Sequence, residues 1–95
     1  MNVYVSSNTL TITGNIKSVN DYQAIKNAVE PVISTYKTII IDIKDSISIT
    51  SSVIGYFSKI IQKDGIDLSV KVGNATLMEL FDDINLIELF KIEKY

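Results

Sequence analysis

The 95-residue sequence contains no cysteine, no histidine and no arginine. Without cysteine and histidine, the chain cannot form a disulfide, a thiol nucleophile, a Cys/His zinc site or a Ser–His–Asp triad. No imidazole is available as a general base or pH switch near neutrality. Without arginine, no guanidinium can bind phosphate or guanine through two parallel hydrogen bonds. These absences argue against an enzyme.

Excess positive charge and long apolar runs are also missing. Nine lysines face eleven acidic residues, the net charge is −2, and no basic stripe appears, so we expect no binding to nucleic acid. No apolar run reaches the roughly 18 residues that a membrane span needs, so we expect no membrane insertion. The first ten residues lack the basic start and apolar stretch of a signal peptide. We therefore expect a cytoplasmic protein.

Proline and glycine are few, with one and four residues, while 46% of the chain is hydrophobic and 21% is charged. This composition excludes a disordered, collagen-like or low-complexity chain. The length suits a single folded unit, and we find no internal repeat and no linker. The sequence therefore predicts one domain spanning residues 1–95.

The spacing of apolar residues predicts five strands and three helices in the order β-β-α-β-α-β-α-β. The predicted strands are Asn2–Ser6, Thr9–Gly14, Thr38–Ile43, Asp67–Val72 and Leu86–Ile92, and the predicted helices run from Ser18 to about Tyr36, from Ser51 or Ser52 to Asp64, and from the cap Asn74 to about Ile84. Strands that alternate with helices pair in parallel through right-handed crossovers. The predicted fold is therefore α/β with a mixed sheet that has an antiparallel hairpin at one edge.

Three local patterns lead to further expectations. Pro31 lies inside the first predicted helix, where it removes a hydrogen bond and clashes with the carbonyl of Asn27, so we expect a kink or a break. The β-branched run Ile39–Ile41 favours a central strand buried on both faces. In the last strand, we expect Phe90 and Ile92 to point inward.

Three hydroxyl residues, Thr50, Ser51 and Ser52, lie where a loop enters the second helix after the central strand. Ligands of open α/β sheets bind beyond the carboxyl ends of strands, where helix N–H groups and the positive end of the helix dipole meet. A phosphoryl group on one of these hydroxyls would be favoured electrostatically. In the alternative interpretation, one of them caps the helix and the others only increase surface polarity. Capping does not exclude modification.

Other chemistry-bearing residues form no recognisable site. The acidic residues Asp42, Asp45, Asp82 and Asp83 lack the spacing of a metal cage, and the four glycines form no phosphate-binding loop. We therefore expect no metal and no cofactor. Tyr56, one residue beyond Gly55, either packs in the core or contributes to a binding surface.

Four segments, in this order, resemble the STAS domain, which is named for sulfate transporters and anti-sigma factor antagonists. They are Leu10–Ile16, Ile39–Ile43, Ile49–Gly55 and Leu80–Asp82, within a resemblance that runs from about Val3 to Ile92. The resemblance implies a single α/β domain with a mixed sheet and helices mostly on one side. Stand-alone bacterial members bind an anti-sigma factor that is also a serine kinase, and thereby regulate transcription.

In such members the kinase phosphorylates a residue at the start of the second helix, the phosphoprotein releases its partner, and a phosphatase restores binding. The resemblance places this residue at Ser51, with Ser52 and Thr50 as less favoured choices. It also implies a partner-binding surface made of Lys17, Thr50, Ser51, Ser52, Gly55 and Tyr56. An alternative function is a docking subunit of a transporter ATPase, or a signalling scaffold, without phosphorylation.

The sequence departs from the family pattern at four positions. Thr50 replaces an aspartate, Val53 replaces a glycine, Lys17 replaces an acid in the loop before the first helix, and Ser46 occupies a position that is usually apolar. The loss of two acids changes the charge that a partner would meet at this surface. These substitutions affect the expected partner more than the expected fold.

Overall fold

The computed structural model describes residues 1–95 and contains the predicted elements in the predicted order. They are β1 Asn2–Ser6, β2 Thr9–Thr13, α1 Val19–Ile33, β3 Thr38–Ile43, α2 Ser51–Gln62, β4 Asp67–Val72, α3 Ala75–Asp83 and β5 Ile92–Lys94. The predicted α/β class and the element order are therefore confirmed. None of the three helices combines the length and the apolar character that a membrane crossing requires.

The five strands form one mixed sheet in the order β1-β2-β3-β4-β5. β1 pairs antiparallel with β2, and every other neighbouring pair is parallel. Because spatial order follows chain order, right-handed crossovers place α1, α2 and α3 on the same face of the sheet. The other face carries half-buried or exposed residues, such as Thr11 on β2 and Lys71 on β4.

The core lies between the sheet and the three helices. The sheet contributes Leu10, Ile12, Ile39, Ile41, Ile43, Leu68, Val70 and Val72, all of them buried. Three buried phenylalanines, Phe57, Phe81 and Phe90, pack together in the part of the core next to α3. The ring of Phe90 packs edge-on against Phe57 at 5.9 Å and against Phe81 at 6.0 Å, which is a favourable aromatic geometry. The last turns of the chain are thereby anchored to α2 and α3.

The expectation that β3 is buried on both faces was wrong. Its exposure alternates, with Ile39, Ile41 and Ile43 buried and Ile40 only half-buried. Ile40 lies in register with Thr9 and is on the uncovered face of the sheet. Helices cover only one side, so β3 resembles a strand of a two-layer sheet more than one of a three-layer sheet.

Of the kink or break expected at Pro31, the break does not occur. Helix α1 is continuous and ends at Ile33, short of the predicted end at Tyr36. Pro31 stands in its last turn, where a missing N–H removes only one bond near an end that frays in any case. Ser34 then caps the helix, and its hydroxyl donates to the Pro31 carbonyl at 2.7 Å.

The predicted bounds of the last strand were wrong as well. Residues 87–91 form turns, with Lys91 at a positive φ of 48°, and β5 comprises only Ile92–Lys94. Phe90 and Ile92 do point inward, as predicted. The apolar side chains of this segment pack against α3. They are buried without the segment forming a β-strand.

Candidate functional site

Helix α2 begins at Ser51, directly after its cap. The cap is Thr50, whose Oγ1 accepts the N–H of Val53 at 3.3 Å. The expectation that one of the three hydroxyl residues caps the helix is therefore confirmed, and Thr50 is that residue. Ser51 and Ser52 are both exposed and their hydroxyls make no hydrogen bond within the chain. Capping thus leaves two serine hydroxyls accessible on the first turn.

Helix α1 begins beside it with a complete capping box. The N–H of Asp21 donates to Ser18 Oγ at 3.1 Å, and the N–H of Ser18 donates to Asp21 Oδ2 at 3.2 Å. The same carboxylate oxygen accepts the N–H of Lys17 at 2.9 Å. These bonds, chiefly the one from Lys17, lower the pKa of Asp21. The position of the Lys17 backbone is therefore fixed by the first turn of α1.

The loops before the two helices are joined by hydrogen bonds between residues about thirty positions apart. The N–H of Gly14 donates to Asp45 Oδ1 at 2.7 Å, and the N–H of Ile47 donates to Asn15 Oδ1 at 3.0 Å. We call the residues that make these contacts, Gly14–Ile16 and Asp45–Ser48, the loop clamp. It holds the approach to α1 against the approach to α2.

Ser46 is the buried centre of the loop clamp and is the single fully buried polar side chain. Its Oγ accepts the N–H of Ile16 at 3.0 Å and donates to the carbonyl of Ser48 at 2.6 Å. Ser48 Oγ in turn donates to the carbonyl of Ile16 at 2.8 Å. The hydroxyl at position 46 is thus explained by the hydrogen bonds it makes. Sequence reasoning missed this role because no local pattern links residues so far apart.

A shallow cavity of about 150 Å³ lies between the two helix starts. Its lining residues are Lys17, Ser18, Val19, Tyr22, Thr50 and Ser52. The structure therefore brings Lys17 together with two of the three predicted hydroxyl residues. Ser51 does not line this cavity. It lies on the exposed first turn next to it.

Electrostatically, this region favours a negative group. Residues from the N-termini of α1 and α2 line this cavity together, and the dipole of each helix adds partial positive charge. The exposed ammonium of Lys17 contributes a full positive charge, and the first turn of α2 carries no acidic residue. Asp21 is the one acid in the first turn of α1, and its carboxylate is engaged by backbone N–H groups.

The remaining two predicted partner-binding residues differ in position. Gly55 is exposed, and a side chain there would meet nothing within 4 Å. Tyr56 is only 6% exposed and packs edge-on against Tyr22 at a ring distance of 6.2 Å. Its hydroxyl is buried without a hydrogen-bond partner. Burial, together with the carboxylate of Glu30, raises the pKa of Tyr56 to about 12. The structure thus places Tyr56 in the core and not among the exposed residues of the expected partner-binding surface.

The acidic residues considered as metal ligands are dispersed. Asp42 pairs with Lys44 at 3.0 Å on the uncovered face of the sheet, while Asp45 belongs to the loop clamp. Asp82 and Asp83 lie exposed at the end of α3. Nowhere do three acidic side chains come close enough together to hold a metal ion.

Comparisons with known proteins do not identify a family. No model of a protein family matches the chain, and no curated protein sequence matches it. The resemblance to the STAS domain therefore remains a prediction based on its four motif segments.

Proposed function

We propose that the protein is a regulatory protein-binding module of the anti-sigma factor antagonist type, switched by phosphorylation of Ser51. The observation that carries this proposal is the exposed, unbonded Ser51 hydroxyl on the first residue of α2. Its partner would be a cytoplasmic anti-sigma factor that is also an ATP-dependent serine kinase. In this role the protein acts on signal transduction and transcription, and it catalyses no reaction itself.

The proposed switch acts through charge at the partner surface. A phosphate on Ser51 adds about −1.5 to −2 charges and three strong acceptor oxygens. At the start of α2, free N–H groups and the helix dipole offset this charge, so the fold would tolerate it. In a packed interface the same group is bulky and must lose its water, which is costly. The domain would therefore keep its structure while the partner dissociates.

Lys17 adds a positive charge next to the proposed phosphorylation site. Lys17 lines the cavity on the α1 side, while Ser52 and Thr50 line the α2 side. A phosphate on the first turn of α2 would meet a positive charge here, whereas the family pattern has an acid. The interaction is exposed, so it adds only about 0.2–1 kcal/mol, but it favours the modified state.

Ser51 is the best of the three hydroxyl acceptors. Thr50 uses its oxygen to cap α2, so modification would disturb the helix start. Ser52 is exposed but faces the cavity between the helices, where a kinase has less access. The hydroxyl of Ser51 is both exposed and outside the cavity.

The proposal is tested by incubating the protein with an anti-sigma-type serine kinase, ATP and Mg²⁺, and mapping phosphate by mass spectrometry. We expect one phosphate on Ser51, lost in Ser51→Ala and retained in Ser58→Ala, a half-buried serine of the same helix. A partner that binds without any phosphate transfer would instead support the alternative, a docking module for a transporter ATPase or a scaffold. The loss of both acids, at positions 17 and 50, and the valine at position 53 favour that alternative.

A further inference from the structure

The outer edge of β1 is an unpaired strand edge without any of the usual protective features. Its five residues, Asn2–Ser6, include no charged residue, no proline and no glycine. Tyr4 is 59% exposed and Val5 is 50% exposed. Natural sheets protect free edges with charge, proline, bulges or very short strands, because an open edge pairs with other chains.

The opposite edge of the same sheet is protected. β5 has only three residues, and two of them, Glu93 and Lys94, are charged and exposed. Lys91 lies just before it, paired with Asp67 at the sheet surface. The open edge at β1 is therefore a feature of one side of this sheet only.

The backbone of β1 presents its free hydrogen-bonding groups at two residues. Ser6 and Thr9 close a two-residue loop, so they exchange both backbone bonds, and bonded pairs alternate from there along the hairpin. Tyr4 therefore belongs to the next bonded pair. The N–H and C=O groups of Val3 and Val5 are directed away from β2 and are free to pair.

The adjoining strand agrees with this assignment. Ile12, which lies opposite Val3, uses its carbonyl to accept the N–H of Lys44 at 3.0 Å, toward the β3 side of the sheet. It is therefore not bonded to Val3. The free groups of Val3 are oriented toward the open edge.

We infer that the protein forms a symmetric dimer in which β1 pairs antiparallel with β1 of a second copy, centred on Tyr4. In this register Val3 lies opposite Val5 of the second copy, and the free backbone groups of these two residues face one another. Tyr4 lies opposite Tyr4 of the second copy, and Asn2 opposite Ser6. Valine meets valine on the helix-covered side of the sheet, and polar or aromatic residues meet on the other side.

A second copy of β1 suits this edge better than a charged strand does. β1 is neutral, and its order of polar, valine, tyrosine, valine and polar residues is the same when read in either direction. Pairing brings no like charges together, although each chain carries a net charge of −2. The contact is made by one five-residue strand from each copy, which is small compared with stable dimer interfaces. The dimer is therefore weak and depends on concentration, and it extends the sheet from five strands to ten.

The test measures mass against concentration by analytical ultracentrifugation. We expect the wild-type mass to rise from 10.6 kDa toward twice that value as concentration increases. Tyr4→Lys places two ammonium groups opposite each other and should raise the dimer dissociation constant about tenfold or more. Tyr95→Lys is the matched control, because Tyr95 is 58% exposed but lies at the other end of the sheet. It should dimerise like the wild type.

A charge-swap mixture identifies the strand that pairs. Tyr4→Lys and Tyr4→Glu should each be mainly monomeric alone, and a mixture of the two should regain the dimer. A wild-type chain that stays at 10.6 kDa up to about 1 mM would overturn the inference. Species larger than a dimer, as expected from pairing of β1 with β5, would overturn it as well.

A measurement on the wild type covers the case in which a Tyr4 variant fails to fold. Amide hydrogen exchange of Val3 and Val5 should slow as the protein is concentrated, because their N–H groups become bonded. Exchange at Tyr4, already bonded within the hairpin, should change little. Exchange rates of the Val3 and Val5 amides that do not change between dilute and concentrated protein would contradict the dimer.

Discussion

The hydroxyl of Ser46 accepts the backbone N–H of Ile16 at 3.0 Å, thirty residues away in the sequence and completely out of contact with water. This bond joins the loop before α1 to the loop before α2. Because both helices begin at these loops, this bond and the others of the loop clamp hold Lys17 near the first turn of α2. The geometry of the proposed switch therefore depends on a residue that is not part of it.

Ser46→Ala should lower the free energy of unfolding by about 1–3 kcal/mol, because it leaves the buried N–H of Ile16 without an acceptor. Ser52→Ala serves as the control, since Ser52 is exposed and its hydroxyl makes no hydrogen bond in the chain. Its effect should stay within about 0.5 kcal/mol. Urea unfolding of the three proteins measures the difference. Equal stability of Ser46→Ala and the wild type would show that the loop clamp contributes nothing.

Tyr56→Phe should stabilise the protein by about 1 kcal/mol, because it removes a buried hydroxyl that has no partner while keeping the ring that packs on Tyr22. Tyr36→Phe, at an exposed tyrosine, should have almost no effect. Thermal and denaturant unfolding measure both variants. Destabilisation by Tyr56→Phe would mean that the hydroxyl binds a group we have not identified.

The same tyrosine should make stability depend on alkaline pH. Its pKa is raised to about 12, whereas an unfolded chain ionises it near 10, so the folded state holds the proton more tightly. The contribution of Tyr56 to the free energy of unfolding is therefore fully present below about pH 10 and is lost as the pH rises through 12. Tyr56→Phe should lose less stability over that interval than the wild type, and a parallel loss in both proteins would contradict this.

Acid should weaken the start of α1. The pKa of Asp21 is lowered by its bonds to Lys17 and Ser18, so its contribution is present above the ordinary value near 3.8 and is lost as pH falls through the folded pKa. Asp21→Asn should therefore be less stable than the wild type at neutral pH, with the gap closing at low pH. Ser18→Ala removes the cap and should cost about 1 kcal/mol at neutral pH while keeping most of the acid dependence.

Ser51→Asp should leave the fold intact, with the melting temperature within a few degrees of the wild-type value, because a negative charge interacts favourably with a helix N-terminus. Binding to an identified partner should weaken at least tenfold, or about 1.4 kcal/mol, whereas Ser58→Asp should affect binding less. Calorimetric titration with a partner isolated by pull-down measures both. Unchanged binding by Ser51→Asp would remove the switch and leave the docking alternative.

Much of the fold was predictable because the relevant signals are local. Ser18 followed by Asp21 predicts a capping box, and Asn74 predicts a helix start; both caps are present. Apolar alternation in Thr9–Thr13 and Asp67–Val72 predicts strands with one buried face. These patterns depend on residues within one turn or one strand of each other, so a single sequence contains all the information needed.

The errors occurred where distant residues decide the structure. Leu86–Phe90 is apolar enough to be a strand, but its apolar side chains pack against the core while the backbone forms turns over residues 87–90. Ile40 follows the β-branched pattern of a strand covered on both sides, yet no helix crosses that face. For the site, Thr50 could not be distinguished from Ser51 or Ser52 as the cap, because all three residue types cap helices well.

The agreement between chain order and strand order also bears on how the protein folds. Thr9 pairs with Ile40, Thr38 with Asp67 and Val70 with Ile92, so no strand pairing joins the two ends of the chain. During synthesis, the β1–β2 hairpin can form first, and each later helix and strand adds to an edge that already exists. The entropy cost of loop closure is therefore divided among several short connections, which favours rapid folding from the N-terminus onward. β5 pairs with β4 over only three residue pairs, whereas β1 pairs with β2 over five, so the final α3–β5 unit should open first when the protein is mildly destabilised.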